Sequence, residues 1–248
     1  VTLDNLHPLL AWPELFAGRE VLVRIDPGIG RGHHAKVRTG GARSKFGVSV
    51  GQLDALQQAV TDHDVRVVGL HAHAGSGIRT AKNWAETAVF LAQVAQRFPH
   101  VKALDLGGGL WVPEKPGEEP LDLAELDASL ADVRAAHPHL ELWLEPGRYL
   151  VALAGVLLAR VTQLKQKGEL SYVGIDAGMH SLIRPALYGA WHGIVNLSGR
   201  DRPGRVVANV VGPICESGDT LGYDRSLAEP VEGDTVLIDV AGAYGRSM

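Results

Sequence analysis

The chain has 248 residues, 46% of them hydrophobic and 21% charged, so it can bury one large core or two modest ones and reads as a soluble globular protein. A net charge of −4 with scattered basic residues excludes a nucleic-acid footprint, and no apolar run reaches membrane-spanning length. The single cysteine leaves no internal disulfide, and the opening Val1-Thr-Leu-Asp-Asn-Leu-His7 lacks the charged-then-apolar plan of a signal peptide; both fit a reducing cytoplasm.

Four apolar runs, at residues 21–25, 65–70, 101–106 and 140–144, end in loops rich in glycine and polar residues and are expected as buried parallel strands. Between them, apolar residues at helical spacing predict helices over 50–61, 80–98 and 122–136. Strand-loop-helix units repeated in this way imply a right-handed α/β layer. Polar residues gathering after the strand C-termini imply a (β/α)8 TIM-type barrel with its site at that end. Only about four of eight barrel strands can be counted, so residues 1–150 are expected to form the C-terminal part of such a barrel. The tract at 113–120, with three prolines, a lysine and three glutamates, reads as a solvated loop. From 151 to 248 the pattern changes to short β-type runs, at 151–163, 172–176, 206–211 and 235–241, separated by Gly, Pro and Asp. These predict a mostly antiparallel β-domain.

Gly69-Leu-His-Ala-His-Ala-Gly-Ser-Gly77 puts His71 and His73 on one side of a strand. Such pairs begin zinc sites, but later strand ends are read as offering no further His or Asp ligand, so no metal is expected. A stacking or hydrogen-bonding role suits His73, with Ser76 facing an anion, while His71 reads as a satisfied core histidine. Leu104-Asp-Leu-Gly-Gly-Gly-Leu110 is either a tight turn or a place where amides approach a phosphate; its spacing matches neither a dinucleotide fold nor a P-loop. In Glu145-Pro-Gly-Arg148, a carboxylate held by the Pro-Gly147 turn could face a protonated ring nitrogen and Arg148 an anion, or the two could form an ordinary salt bridge. Arg184 and Tyr188, four apart, would share one helical face suited to a carboxylate, unless they pair at the surface. Gly212-Pro-Ile-Cys-Glu-Ser-Gly-Asp219 packs a thiol and two carboxylates among helix-breaking residues. It is either a site loop in which Cys215 and Glu216 are chemical groups, or a turn with a buried thiol.

Taken as a set, Ser44-Lys-Phe-Gly47, His71-x-His-x-Gly-Ser76, Asp105-x-Gly-Gly-Gly109, Glu145-Pro-Gly-Arg148, Asp176-Ala-Gly-Met179, Arg184-Pro-x-Leu-Tyr188, Gly212-Pro-x-Cys-Glu-Ser-Gly-Asp219 and Gly242-Ala-Tyr-Gly245 resemble the diaminopimelate decarboxylase family, in family order from Asp4 to Met248. Ala72 and Gly77 resemble the form fused behind an aspartate kinase. The resemblance implies an alanine-racemase-like barrel plus β-domain, pyridoxal 5'-phosphate as cofactor, and decarboxylation of meso-2,6-diaminopimelate to L-lysine. It implies that His73 stacks on the cofactor ring, that Glu145 holds the pyridine nitrogen protonated, and that Gly107, Gly108, Gly109 and Arg148 line the phosphate or substrate side. Arg148, Arg184 and Tyr188 would grip a substrate carboxylate, Glu216 the distal ammonium, and Cys215 would return a proton to the α-carbon. Cys215 and Glu216 would reach a partner subunit's pocket in a homodimer.

The family's Schiff-base lysine, in an Ala-x-Lys-Ala-Asn context, has no counterpart among Lys36, Lys45, Lys82, Lys102, Lys115, Lys165 and Lys167. The substrate tyrosine expected after Gly245 is also absent, and the chain is therefore expected to be an interior piece that decarboxylates nothing alone. Two rivals stand beside this reading. One is a sister decarboxylase acting on arginine or ornithine, against which Glu216 argues because those relatives usually carry Cys-Asp. The other is a non-catalytic cofactor-binding paralogue without the lysine.

Overall fold

The structure, a computed structural model, describes residues 1–28, 30, 39–41 and 44–248, so Lys36 lies outside the described residues. The chain divides into two compact units, Val1–Trp111 with Pro120–Pro146, and Val112–Glu119 with Gly147–Met248.

The first unit is an α/β layer built on a parallel sheet. Its strands are β1 (Thr2–Leu3), β2 (Glu20–Asp26), β3 (Val48–Ser49), β4 (Arg66–His71), β5 (Ala103–Asp105) and β6 (Glu141–Trp143), and its helices α1 (His7–Ala11), α2 (Leu53–Asp62), α3 (Lys82–Ala95) and α4 (Leu123–Ala136). Strand order is β1-β2-β4-β5-β6, with β3 beside β2, and every pairing is parallel. The four expected strands are all present, although β6, expected as buried, leaves Glu141 and Trp143 exposed, and the succession of parallel strands and covering helices is that of part of a (β/α)8 barrel. Along β2 alternate residues Val21, Val23 and Ile25 are fully buried, which stabilises the sheet by about 1.5–3 kcal/mol per side chain. Leu56 of α2 and Trp84, Ala88 and Leu91 of α3 are fully buried, and α3 packs on β4 and β5. Helix α4 starts where Asp122 accepts the amide hydrogens of Ala124 (2.8 Å) and Glu125 (3.1 Å), an N-cap that satisfies two orphan donors.

The second unit is mostly antiparallel. Strands β7 (Leu157–Lys167), β8 (Leu170–Ile175), β9 (Ile194–Asn196), β10 (Arg205–Val211), β11 (Thr220–Ala228) and β12 (Thr235–Ile238) run in the order β11-β10-β8-β7-β12-β9, with only β10 and β8 parallel. A Cβ on Gly222 of β11 would lie 2.9 Å from the Ile194 side chain of β9, so the two edge strands approach and the sheet nearly closes. Its core is aliphatic: Val161, Val173, Ile175, Val210, Leu221, Leu227, Val236 and Ile238.

Two expectations are corrected here. Residues 151–163 do not form one β run, because α5 (Gly147–Val151) and a 3-10 turn (Ala152–Ala154) precede β7. The tract at 113–120 is not simply solvated: Glu114 is largely buried, and its carboxylate accepts from Arg184, which begins α6 (Arg184–Tyr188).

Candidate active site

In the first unit, the chemistry gathers where the parallel strands end. His71 closes β4, its register partner Asp105 closes β5, and Glu145 follows two residues after Trp143, the register partner of Asp105 that closes β6. Arg24, register partner of His71 on β2, extends the row, so four neighbouring strands deliver charged or titratable side chains to one edge. Arg24 is held by Asp4 at 3.4 Å and lies 4.5 Å above the Phe46 ring. Burial pulls its pKa below the ordinary guanidinium value, against the opposing pull of Asp4 and then Glu145.

His73 sits in the loop after β4. Its Nδ1 accepts the Gly108 amide hydrogen at 3.1 Å, and burial, helped by the positive charge of Arg24 and by His71, lowers its pKa to about 4. The ring is therefore neutral at ordinary pH and fixed in one orientation. Ser76 lies half-buried in the same loop.

The glycine tract owes its composition to close approach. A Cβ on Gly107 (φ +68°) would stand 2.7 Å from His73 Nδ1 and 2.8 Å from the Ala72 carbonyl oxygen, and one on Gly108 would overlap the Glu145 carbonyl. The amide of Gly107 is committed to Asp105 Oδ1 at 3.0 Å and that of Gly108 to His73. These two amides thus hold side chains of the site instead of lying open to an anion. The tract locks β5 against the Glu145 turn, because Glu145 donates its own amide hydrogen to the Gly107 carbonyl at 3.0 Å.

Glu145 is more than half exposed, and its Oε2 stands 3.4 Å from His71 Nε2. His71 is buried, and neither of its ring nitrogens has a hydrogen-bond partner. The expectation that His71 is a satisfied core histidine, and that later strand ends offer no further His or Asp ligand, is therefore corrected, since Asp105 stands at the end of β5. One ligand-type atom from each of His71, Asp105 and Glu145 lies within 4.8 Å of the other two.

In the second unit two guanidiniums form a cationic cluster. Arg184 is 1% exposed; it donates to Glu114, its Nη1 meets His192 Nε2 at 3.1 Å, and its Nε is buried without a partner. Since the Asp239 carbonyl can only accept, His192 donates from Nδ1 to it at 2.8 Å, leaving Nε2 to accept from Arg184. Burial lowers the His192 pKa and Arg184 lowers it further, against the pull of the Asp239 carbonyl, which keeps this tautomer neutral. Arg148 lies over the Tyr244 ring at 4.8 Å, and its pKa is lowered by burial and then by Arg184, while Glu114, Tyr244 and Tyr188 favour its charge. Arg148 and Arg184 thus bring two guanidiniums together beside the Glu114 carboxylate. Gly147 opens α5 immediately before Arg148.

Cys215 lies exposed in the 212–219 loop, so the alternative of a turn with a buried thiol is corrected. Buried Asp219 organises that loop, accepting the amide hydrogens of Met179 (2.5 Å) and Ile214 (2.8 Å), while Gly178 and Gly212 both leave room for its carboxylate. Glu216 accepts the Gly218 amide hydrogen at 3.0 Å and lines a cleft of about 350 Å³ with Lys165, Lys167 and Tyr172.

Sequence reasoning missed Arg24, Glu114 and His192. A lone arginine inside the apolar run 21–25 was a usable signal for the first. The other two meet Arg184 from distant positions, which no local pattern reports.

The described lysines are scattered. Lys45 lies over Phe46, Lys82 pairs with Glu86 on α3, Lys102 precedes β5 at the opposite end from His71 and Asp105, and Lys165 and Lys167 belong to β7. Among the described residues no helix is long and apolar enough to cross a membrane.

Residues 1–152 match the family model of the pyridoxal-dependent decarboxylases, pyridoxal binding domain. Diaminopimelate decarboxylase of Escherichia coli K12 is 37% identical over 93% of the chain and 59% of its own length. That of Methanothermobacter thermautotrophicus is 36% identical over the whole chain and 60% of its own length. The structure of diaminopimelate decarboxylase from M. jannaschii in complex with L-lysine superposes with a TM-score of 0.85 at 32% identity, over 100% of this chain and 60% of that one. The chain thus spans about three fifths of the length of the relatives it matches, and its fold is the alanine-racemase-like one they share.

Proposed function

The chain belongs to the pyridoxal-dependent decarboxylases, and we propose that the enzyme it forms part of removes the carboxylate from the D-centre of meso-2,6-diaminopimelate to give L-lysine. The observation that carries this reading is the 37% identity to diaminopimelate decarboxylase across 93% of the chain.

Pyridoxal 5'-phosphate, when bound, supplies an electron sink for the pair of electrons that departing carbon dioxide leaves on the α-carbon. The residues fit that group. The neutral, oriented imidazole of His73 offers a flat face without a competing charge, and Glu145 offers an accessible carboxylate to hold the proton on a pyridine nitrogen. The Cβ-free tract Gly107–109 lets both approach from adjoining strand ends. Arg148 and Arg184, with Tyr188 beside them, orient an anionic group, either phosphate or a substrate carboxylate, and the unpartnered Arg184 Nε is a donor for it. Glu216 recognises the distal ammonium, and the exposed thiol of Cys215 delivers a proton to the α-carbon. Ser76 donates to the anion from the loop after β4.

We place the active enzyme in the cytoplasm as a homodimer in which the Cys215–Glu216 loop completes the neighbouring pocket. The covalent lysine of the family has no motif counterpart in this chain, so the 248 residues alone are not expected to catalyse. The full enzyme should be offered meso-diaminopimelate, arginine and ornithine in parallel while carbon dioxide release is measured. Lysine formation with the other two turned over at less than roughly a hundredth of that rate supports the reading; faster release from arginine or ornithine overturns it in favour of the sister decarboxylases.

A further inference from the structure

Three consecutive strand ends place an imidazole and two carboxylates around one point, and the imidazole has no other occupation. His71 is 7% exposed with both ring nitrogens unpartnered, an arrangement that costs free energy unless something fills it. Its Nε2 stands 3.4 Å from Glu145 Oε2 without forming a hydrogen bond. That separation is the edge of a coordination tetrahedron: N and O ligands about 2.0–2.2 Å from a zinc-class ion stand roughly 3.3–3.5 Å from one another. Asp105 supplies the third ligand, within 4.8 Å, and the Gly107 amide holds its Oδ1 at 3.0 Å, fixing the carboxylate as outer hydrogen bonds fix metal ligands elsewhere.

We infer that His71, Asp105 and Glu145 form a three-ligand site for a divalent transition cation of the zinc and cobalt class. A neutral imidazole and two carboxylates carry −2, which the ion cancels, and one nitrogen with two oxygens suits this class better than magnesium or calcium. Arg24, the nearest cation in the strand row, does not take the place of the ion, because its Nη1 is engaged by Asp4 and its plane by Phe46. Glu145 is more than half exposed and gives the ion an entry path, while three protein ligands leave a fourth position open. On the proposed function, Glu145 also faces the cofactor ring nitrogen. Cation and cofactor therefore compete for it, and the metal occupies the cofactor-free enzyme.

The test is a titration of the full enzyme, stripped of pyridoxal phosphate and metals, with Co²⁺ monitored by its visible absorption. One saturable equivalent with an intense tetrahedral band, bleached by equimolar Zn²⁺, is expected, and His71→Asn and Asp105→Asn should each weaken binding at least tenfold. Far-UV circular dichroism identifies a variant that fails to fold, and the other variant then decides. No saturable band, or folded variants that bind Co²⁺ as the parent does, would overturn the site. Adding pyridoxal phosphate separates the two readings. Loss of the band supports the shared carboxylate, whereas undisturbed Co²⁺ beside bound cofactor keeps the metal site and removes Glu145 from the ring nitrogen.

Discussion

His73 Nδ1 accepts the amide hydrogen of Gly108 at 3.1 Å, tying the loop after β4 to the loop after β5 through a side chain instead of through the sheet. Because an amide only donates, Nδ1 carries the lone pair and the proton of the neutral ring sits on Nε2. Protonation of Nδ1 would break this bond as well as charge a buried ring.

Stability should therefore fall on acidification. The folded pKa of His73, about 4, lies below the unfolded value near 6.5, so the unfolded chain binds protons that the native one refuses. Stability is retained above pH 6.5 and lost progressively between 6.5 and 4, by up to about 3 kcal/mol from this group. His192, also shifted down, adds in the same direction. Urea unfolding at pH 7.5 and 4.5 measures the slope, and His73→Gln should flatten it; an unchanged slope in that variant would mean that the ring does not resist protonation.

Glu114 and Arg184 should behave as a buried ion pair. Their side chains are 13% and 1% exposed, so removing the carboxylate leaves a guanidinium in a dry site. Glu114→Ala is expected to cost about 3–5 kcal/mol in chemical denaturation, and Glu114→Gln less, because the amide still accepts a hydrogen bond. A loss under about 1 kcal/mol for the alanine variant would show the pair to be solvated.

These two contacts mark the limit of what the sequence discloses. The strands at 20–26, 66–71, 103–105 and 141–143 were legible as apolar runs, although β6 leaves Glu141 and Trp143 exposed, and α4 was legible from apolar residues at helical spacing. Residues 151–154 read as part of the β run 151–163 because Val151 favours extended structure locally, yet Val151 closes α5 and Ala152–Ala154 form a 3-10 turn, with Ala152 buried in a cluster with Val112, Val240 and Ala243. Strand β11 was passed over because Gly222, Asp224 and Arg225 interrupt it; its partner β10 imposes the pairing. In the site, the motifs around His73, Gly107–109 and Glu145 could be read singly. The convergence of His71, Asp105 and Glu145 depends on strand register, which no window of sequence contains.

Glu145→Gln in the full enzyme should reduce turnover by roughly a hundredfold or more, because an amide cannot hold the ring nitrogen protonated and the ring becomes a poorer electron sink. Cofactor content, read by absorbance, should change far less than kcat. Near-normal turnover would remove Glu145 from the role proposed for it.

Cys215→Ala separates a chemical thiol from a structural one. The side chain is exposed, and the loop around it is organised by Asp219 through the amides of Met179 and Ile214, so truncating the thiol leaves the loop's hydrogen bonds intact. The variant should fold and hold cofactor as the parent does. If the thiol returns the proton after carbon dioxide leaves, turnover falls by roughly a hundredfold or more, and part of the product appears as the carbonyl compound of abortive transamination. Product analysis by mass spectrometry in deuterated water reads both effects. Lysine formed at the parental rate, with no carbonyl by-product, would assign the proton to another donor and leave Cys215 as a residue of the turn alone.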